Sequence, residues 1–194
     1  LNSNGHDCYI AYAKGNSYYK SYIIGNFLDQ KLHELGSRIF GLQGYYSKQS
    51  TLRLIGFIES FGPDIVHLHN LHSNFINLEL LLEYFAKKDI PTVITLHDCW
   101  FYTGKCTHYT IDGCYKWQVG CGSCPRLKKD IPSWFFDKTA TMFQDKKRLF
   151  ENIKKLAVVG VSDWITNESR KSFLSGSKII KRIYNWIDLE VFKP

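Results

Sequence analysis

The sequence predicts an α/β fold, a Rossmann-like parallel sheet flanked by helices, and three observations predict it. Short runs rich in β-branched residues, DIVHLHN (64–70), TVITL (92–96) and LAVVGV (156–161), alternate with longer stretches whose apolar residues recur at helical spacing. TVITL and LAVVGV are close to continuously apolar, which suits strands covered by helices on both faces. Turn residues such as Gly62-Pro63 and Pro91 separate the runs at the short spacing of strand–helix–strand crossovers.

Taken in order, Leu1 to His6 reads as the frayed end of a helix closed by Gly5, and Asp7 to Lys14 as a strand offering Tyr9, Ile10 and Tyr12 to the core. Ile23, Ile24, Phe27, Leu28, Leu32 and Leu35 recur at helical spacing up to Gly36 and predict an ordinary amphipathic helix. A second helix spans about Ser50 to Phe61, burying Leu52, Ile55, Phe57 and Ile58, and Gly62-Pro63 ends it. Asp64 to Asn70 is a strand, Ile76 to Lys88 a helix, and Val93 to Leu96 the strand that ends at His97. A long helix follows a cysteine-rich loop. Its stripe is Phe135, Phe136, Met142, Phe143, Leu149, Phe150 and Ile153, with Lys138, Lys146 and Lys147 expected outside it. Leu156 to Val161 is a strand, Ser162 or Asp163 caps a helix to about Leu174, and Ile179 to Tyr184 is the last strand. Residues 1–184 thus read as one domain and 185–194 as an exit linker.

The 194 residues suit one domain with a sizeable core, or one half of a two-domain enzyme. Hydrophobic content of 44% excludes a disordered chain. No apolar stretch approaches the roughly 20 residues a membrane helix needs, and the first ten residues are too polar for a signal peptide. The expectation is therefore a cytoplasmic protein, with residues removed from its front. A net charge of +7 favours a phosphate-bearing ligand, a polyanion or an anionic membrane surface, although no block of five like charges appears. The clusters Lys128-Lys129, Lys146-Lys147-Arg148 and Lys154-Lys155 read as helix-surface chemistry.

The chemistry concentrates between Thr92 and Pro125. In open α/β sheets ligands bind beyond the carboxyl ends of the strands, where His97 and Asp98 fall. An imidazole beside a carboxylate can donate to a hydroxyl or phosphate, or accept a proton; the plainer alternative is that Asp98 caps the next turn and His97 only packs. His67, His69 and His72 in HLHNLH could hold a metal, but no third ligand with a nearby general base is evident, so the reading is that one ring packs and the others line a cleft beside Asn70. Cys106, Cys114, Cys121 and Cys124 have the spacing C-x7-C-x6-C-x2-C, ending in the knuckle that lets two thiolates reach one ion. Structural zinc is the expectation, with disulfides and free thiols as alternatives. Cys8 and Cys99 read as small buried hydrophobes.

The succession PDIVHLHN, IPTVITLHDCW-x-YTG-x-C, C-x2-W-x2-GC-x2-CP and IYNWIDLEVFKP resembles the N-terminal half of family 4 glycosyltransferases of bacterial capsule and exopolysaccharide synthesis, from about Lys31 to Pro194. Trp186 stands where that family usually has glycine. The resemblance implies the two-domain GT-B fold, with this chain as the acceptor-side half and a donor-binding C-terminal domain beyond the linker. It implies sugar transfer from a nucleotide-sugar donor to a glycan or lipid-linked acceptor with retention of configuration and no catalytic metal, and an inactive fragment when this half stands alone. His97 and Asp98 would contact the transferred sugar, and His69 and Asn70 would shape the acceptor pocket. The basic surface would fit a peripheral contact with the inner face of the cytoplasmic membrane. Two other readings stand beside it: a nucleotide-sugar 2-epimerase of similar architecture, and a zinc-stabilised nucleic-acid or protein-binding module that stacks ligands on Trp100, Phe101, Tyr102, Tyr109, Tyr115 and Trp117. Nucleic acid is not expected as a partner, because few basic residues accompany those rings.

Overall fold

A computed structural model of the chain describes residues 2–192; Leu1, and Lys193 and Pro194 at the end of the expected linker, lie outside the described residues. In chain order the elements are β1 (Ile10–Tyr12), β2 (Ser21–Ile23), α1 (Phe27–Phe40), α2 (Lys48–Phe61), β3 (Val66–Leu68), α3 (Leu78–Lys87), β4 (Thr92–Leu96), α4 (Thr139–Glu151), β5 (Leu156–Gly160), α5 (Asp163–Arg170) and β6 (Ile179–Arg182). The fold is α/β with parallel sheets flanked by helices. Strands β3, β4, β5 and β6 lie side by side in that order, and β1 and β2 form a separate parallel pair.

Each crossover moves one strand along in the same direction, so right-handed connections bring α3, α4 and α5 to one face of the sheet. There α3 packs against both α2 and α4. The register sets Val66 opposite Thr92 and Thr92 opposite Leu156, which aligns the carboxyl ends of β3, β4 and β5. Leu82, Phe85, Ile94, Leu96, Phe150 and Val158 form the centre of the core. The helix boundaries follow local chemistry. Asn26, Asn77 and Ser162 accept hydrogen bonds from the backbone N–H groups of Asp29, Leu80 and Ile165, and Gly62 closes α2 in the left-handed region at φ 63°.

Several expectations are corrected. The segment read as the start of the first helix is β2, because Gly25 at φ 69° and the Asn26 cap start the helix only at Phe27. That helix runs through Gly36 to Phe40 and turns Phe27, Leu28, Leu32 and Leu35 outward, while Gln30, His33 and Ser37 are buried. Tyr9 and Ile10 are exposed rather than in the core, and in α2 Leu54 and Ile58 are buried while Leu52 faces solvent. Phe135 and Phe136 do not belong to the long helix; they are exposed in the turn before it. Lys146 is not on the helix surface. It lies at the centre of the buried face of α4, beside Met142, Phe143, Leu149 and Phe150. From Ile183 to Asp188 the chain carries no helix or strand, and it ends its described course in a turn.

Candidate functional site

Two loops leave the carboxyl ends of the adjacent strands β3 and β4 and bring the histidines together. His69 and Asn70 follow β3, with Asn70 at φ 24°, and His97 and Asp98 follow β4. His69 Nδ1 and His97 Nε2 share a hydrogen bond of 3.0 Å, their rings 5.3 Å apart at the centroids. The His67 ring lies 4.3 Å from that of His69 and is held by a 2.7 Å contact between its Nε2 and Thr95 Oγ1. The three imidazoles therefore form a row along the sheet's end, and all three are exposed.

Asp98 closes the other side. Its Oδ2 meets His72 Nε2 at 2.9 Å, and its Oδ1 accepts the Trp100 backbone N–H at 2.8 Å. Burial alone would raise the Asp98 carboxyl. The His72 hydrogen bond, the Trp100 N–H and the His72 and Lys146 charges outweigh burial and hold it below the usual carboxylate range, so Asp98 is an anion at neutral pH. Burial, together with the neighbouring imidazole charges, lowers His67 and His69, so these two are neutral there. The structure thus joins His69 to His97 and His72 to Asp98, and both pairs lie in the loops that follow β3 and β4. Neutral imidazoles beside one carboxylate can bind and orient hydroxyl groups and pass protons between them.

Asp98 does cap the following turn, and it holds His72 as well. Sequence reasoning missed Lys146 in this site. Its ammonium donates to the Trp100 carbonyl at 2.6 Å and the Thr103 carbonyl at 3.1 Å, and it stands 3.5 Å from the centroid of the Trp100 ring. It ties α4 to the turn that carries Asp98. Burial lowers it to about 7, partly opposed by Cys121, Cys106 and Asp98. The signal was present in the sequence: Lys146 falls three or four residues from each of Met142, Phe143, Leu149 and Phe150, which places it inside the apolar stripe.

The cysteine-rich loop folds over the same region. Trp100, Phe101, Tyr102, Tyr109 and Trp117 are all buried, so of the rings a stacking module would use only Tyr115 is exposed. Tyr109 donates to Glu168 at 2.5 Å, and Arg126, itself buried, pairs with Asp112 and Asp130. None of the six cysteines is joined in a disulfide. The Cys106 and Cys124 thiols interact with each other. That contact raises Cys106 and, with the Arg126 N–H and the Lys105 charge, lowers Cys124 to about 7, while burial raises Cys121 to about 11. The donor set is the soft one that zinc takes. Among the described residues, however, no three His, Cys, Asp or Glu side chains are arranged to hold a metal ion, so no step below is routed through one. Cys99 is buried, as expected, and Cys8 is half-buried.

Comparison with known proteins gives three findings. The model of the family described as Glycosyltransferase Family 4 matches residues 1–191. The chain is 34% identical over 106 residues to the Escherichia coli (strain K12) protein described as "Putative colanic acid biosynthesis glycosyl transferase WcaC"; the aligned part is 52% of this chain and spans only 25% of that relative. No solved structure matches the chain at a significant level.

Proposed function

Because the chain belongs to glycosyltransferase family 4, we propose that it forms the acceptor side of an enzyme that moves a sugar from a nucleotide-sugar donor to a hydroxyl of a glycan or lipid-linked acceptor in bacterial polysaccharide biosynthesis. The observation that carries the reading is the pair of hydrogen-bonded couples, His69 with His97 and His72 with Asp98, side by side at the carboxyl ends of β3 and β4. His97, exposed beyond the end of β4, hydrogen-bonds the transferred sugar. His69 and Asn70 shape the pocket for the acceptor hydroxyl. Asp98 fixes His72 and the turn at Trp100, and its negative charge favours the positive character that develops at the sugar as the diphosphate leaves. Transfer proceeds with retention and without a catalytic metal, the donor being held mainly by a C-terminal domain beyond this chain. The protein works in the cytoplasm, at the inner face of the membrane when its acceptor is lipid-linked. Among the described residues no helix is long and apolar enough to cross a membrane.

The test is release of nucleoside diphosphate by the full-length protein from a panel of nucleotide sugars, with and without acceptor. Release that needs both substrates, and that His97→Ala lowers by about a hundredfold without change in the melting temperature, supports the reading. Turnover of the sugar nucleotide without acceptor would favour the epimerase, and wild-type activity in His97→Ala would remove His97 from the site. For the loop we propose structural zinc held by Cys106, Cys114, Cys121 and Cys124, on the strength of their donor chemistry, the thiols drawing in around the ion from the positions described above. Metal analysis of the purified protein and of Cys121→Ser checks it: one zinc per chain that the variant loses, with a lower melting temperature, is the expected result.

A further inference from the structure

The helix α1 is built inside out. Its buried side is polar and fully engaged: Gln30 donates to the Ala13 carbonyl at 2.8 Å, His33 meets Ser47 Oγ at 2.9 Å and accepts the Gly44 N–H at 3.1 Å, and Ser37 donates to the His33 carbonyl at 2.8 Å. Those bonds fix the helix's rotation. They leave Phe27, Leu28, Leu32 and Leu35 outward at 75%, 65%, 61% and 47% exposure, with Leu28, Leu32 and Leu35 on the i, i+4, i+7 positions of one face and Phe27 beside them. A soluble surface rarely keeps so continuous an apolar stripe unless something covers it.

The stripe is prolonged at its end. Trp134 donates its backbone N–H to the Arg38 carbonyl at 2.6 Å, and Gly41, at φ 74°, lies so close that a Cβ there would stand 2.3 Å from the Phe136 carbonyl oxygen. This contact seats the exposed turn Trp134-Phe135-Phe136 against the end of α1, continuing the apolar face beyond the helix. Cations rim it. The Lys31 ammonium is 5.7 Å from the Phe27 ring centroid and the Arg38 guanidinium 5.8 Å from that of Trp134, while Lys128, Lys129 and Lys138 are exposed in or beside the adjoining turn. Glu34 pairs with both Lys31 and Arg38 and Asp112 with Lys129, while among the described residues Lys128 and Lys138 have no carboxylate within ion-pair distance.

We propose that α1 and the turn 134–136 form a docking face for an anionic lipid bilayer, the helix lying flat in the headgroup region along its length of about 20 Å. Leucines and phenylalanines enter the acyl boundary, Trp134 sits at the headgroup level, and the lysines and arginine meet lipid phosphates. A second copy of the chain is the poorer occupant, because a two-fold contact would bring the same cations against each other. The choice of a bilayer rests in part on the proposed use of a lipid-linked acceptor, whereas the surface itself is independent of it.

The experiment is co-sedimentation of the full chain with vesicles of phosphatidylcholine, with and without phosphatidylglycerol, for wild type, for the triple variant Leu28→Ser, Leu32→Ser, Leu35→Ser, and for Trp134→Ala with Phe135→Ala. The expected result is binding that needs the anionic lipid, weakens with salt, and falls by about tenfold or more in the triple variant, whose melting temperature is unchanged because the replaced side chains are exposed. Absence of binding by wild type, or equal binding by the triple variant, overturns the proposal. So does a concentration-dependent dimer that the triple variant dissolves. In the full-length protein, transfer to a water-soluble acceptor should survive the triple variant, whereas His97→Ala should bind vesicles and fail to transfer; the two readings therefore fail separately.

Discussion

Helices α1 and α4 carry similar apolar stripes and use them in opposite ways. In α4 the stripe Met142, Phe143, Leu149 and Phe150 faces the core and encloses a lysine; in α1 the stripe faces outward and the core receives a glutamine, a histidine and a serine. The difference teaches that periodicity locates a stripe but does not decide its direction. Direction is set by which partners wait inside. For α4 these are the Trp100 and Thr103 carbonyls and the rings of Phe101 and Phe173, and for α1 the Ala13 carbonyl, Ser47 and the Gly44 N–H.

The comparison breaks most sharply by truncation on each stripe. Phe150→Ala in α4 should cost about 3 to 5 kcal/mol in urea unfolding, since it opens a cavity in the core. A cost under about 1 kcal/mol would mean that α4 is not packed as described. Next comes Lys146→Met, which keeps the volume and leaves two buried carbonyls without a donor; we expect a loss of about 2 kcal/mol at pH 8. The same variant sharpens the electrostatics. The Lys146 pKa in the folded protein, about 7, lies below its unfolded value, so the unfolded chain binds more protons above pH 7. Wild-type stability should therefore rise with pH from about 7 toward 10 relative to Lys146→Met, by at most about 1.4 kcal/mol per unit.

His33 gives the corresponding test in α1. Burial lowers it to about 4, opposed by Asp29, so folding favours its neutral form. Stability should be full above about pH 6.5 and decline as pH falls toward 4, again by at most about 1.4 kcal/mol per unit, and His33→Gln should flatten that slope. The smallest effect is the most telling one. Leu32→Ser, on the outward stripe, should change stability by less than about 0.5 kcal/mol; a loss of 2 or more would show that this face is covered within the folded chain.

Much of the fold was legible in the sequence because β3, β4 and β5 are β-branched runs bounded by proline and glycine, and Ser162 announces its helix. β2 was not legible, since Ile23 and Ile24 continue a helical spacing that only Gly25 interrupts. The site was legible as far as strand ends go, which placed His69, Asn70, His97 and Asp98 together. Its wiring was not, because the partnership of His72 with Asp98 depends on how two loops of different strands cross. Lys146 shows the opposite failure. Its position in the stripe pointed inward, but lysine's preference for water concealed it until two carbonyls were seen to satisfy the ammonium.

The 3.0 Å bond between His69 and His97 has one more consequence. A single proton lies between two nitrogens, so in the neutral pair the tautomer of one ring dictates that of the other. When His97 donates from Nε2, its Nδ1 is a bare acceptor and His69 carries its outer proton on Nε2; when His69 donates from Nδ1, both outer nitrogens reverse. The couple always shows one outward donor and one outward acceptor. A hydroxyl that gives its hydrogen to one outer nitrogen therefore sets the far ring to donate toward a second group.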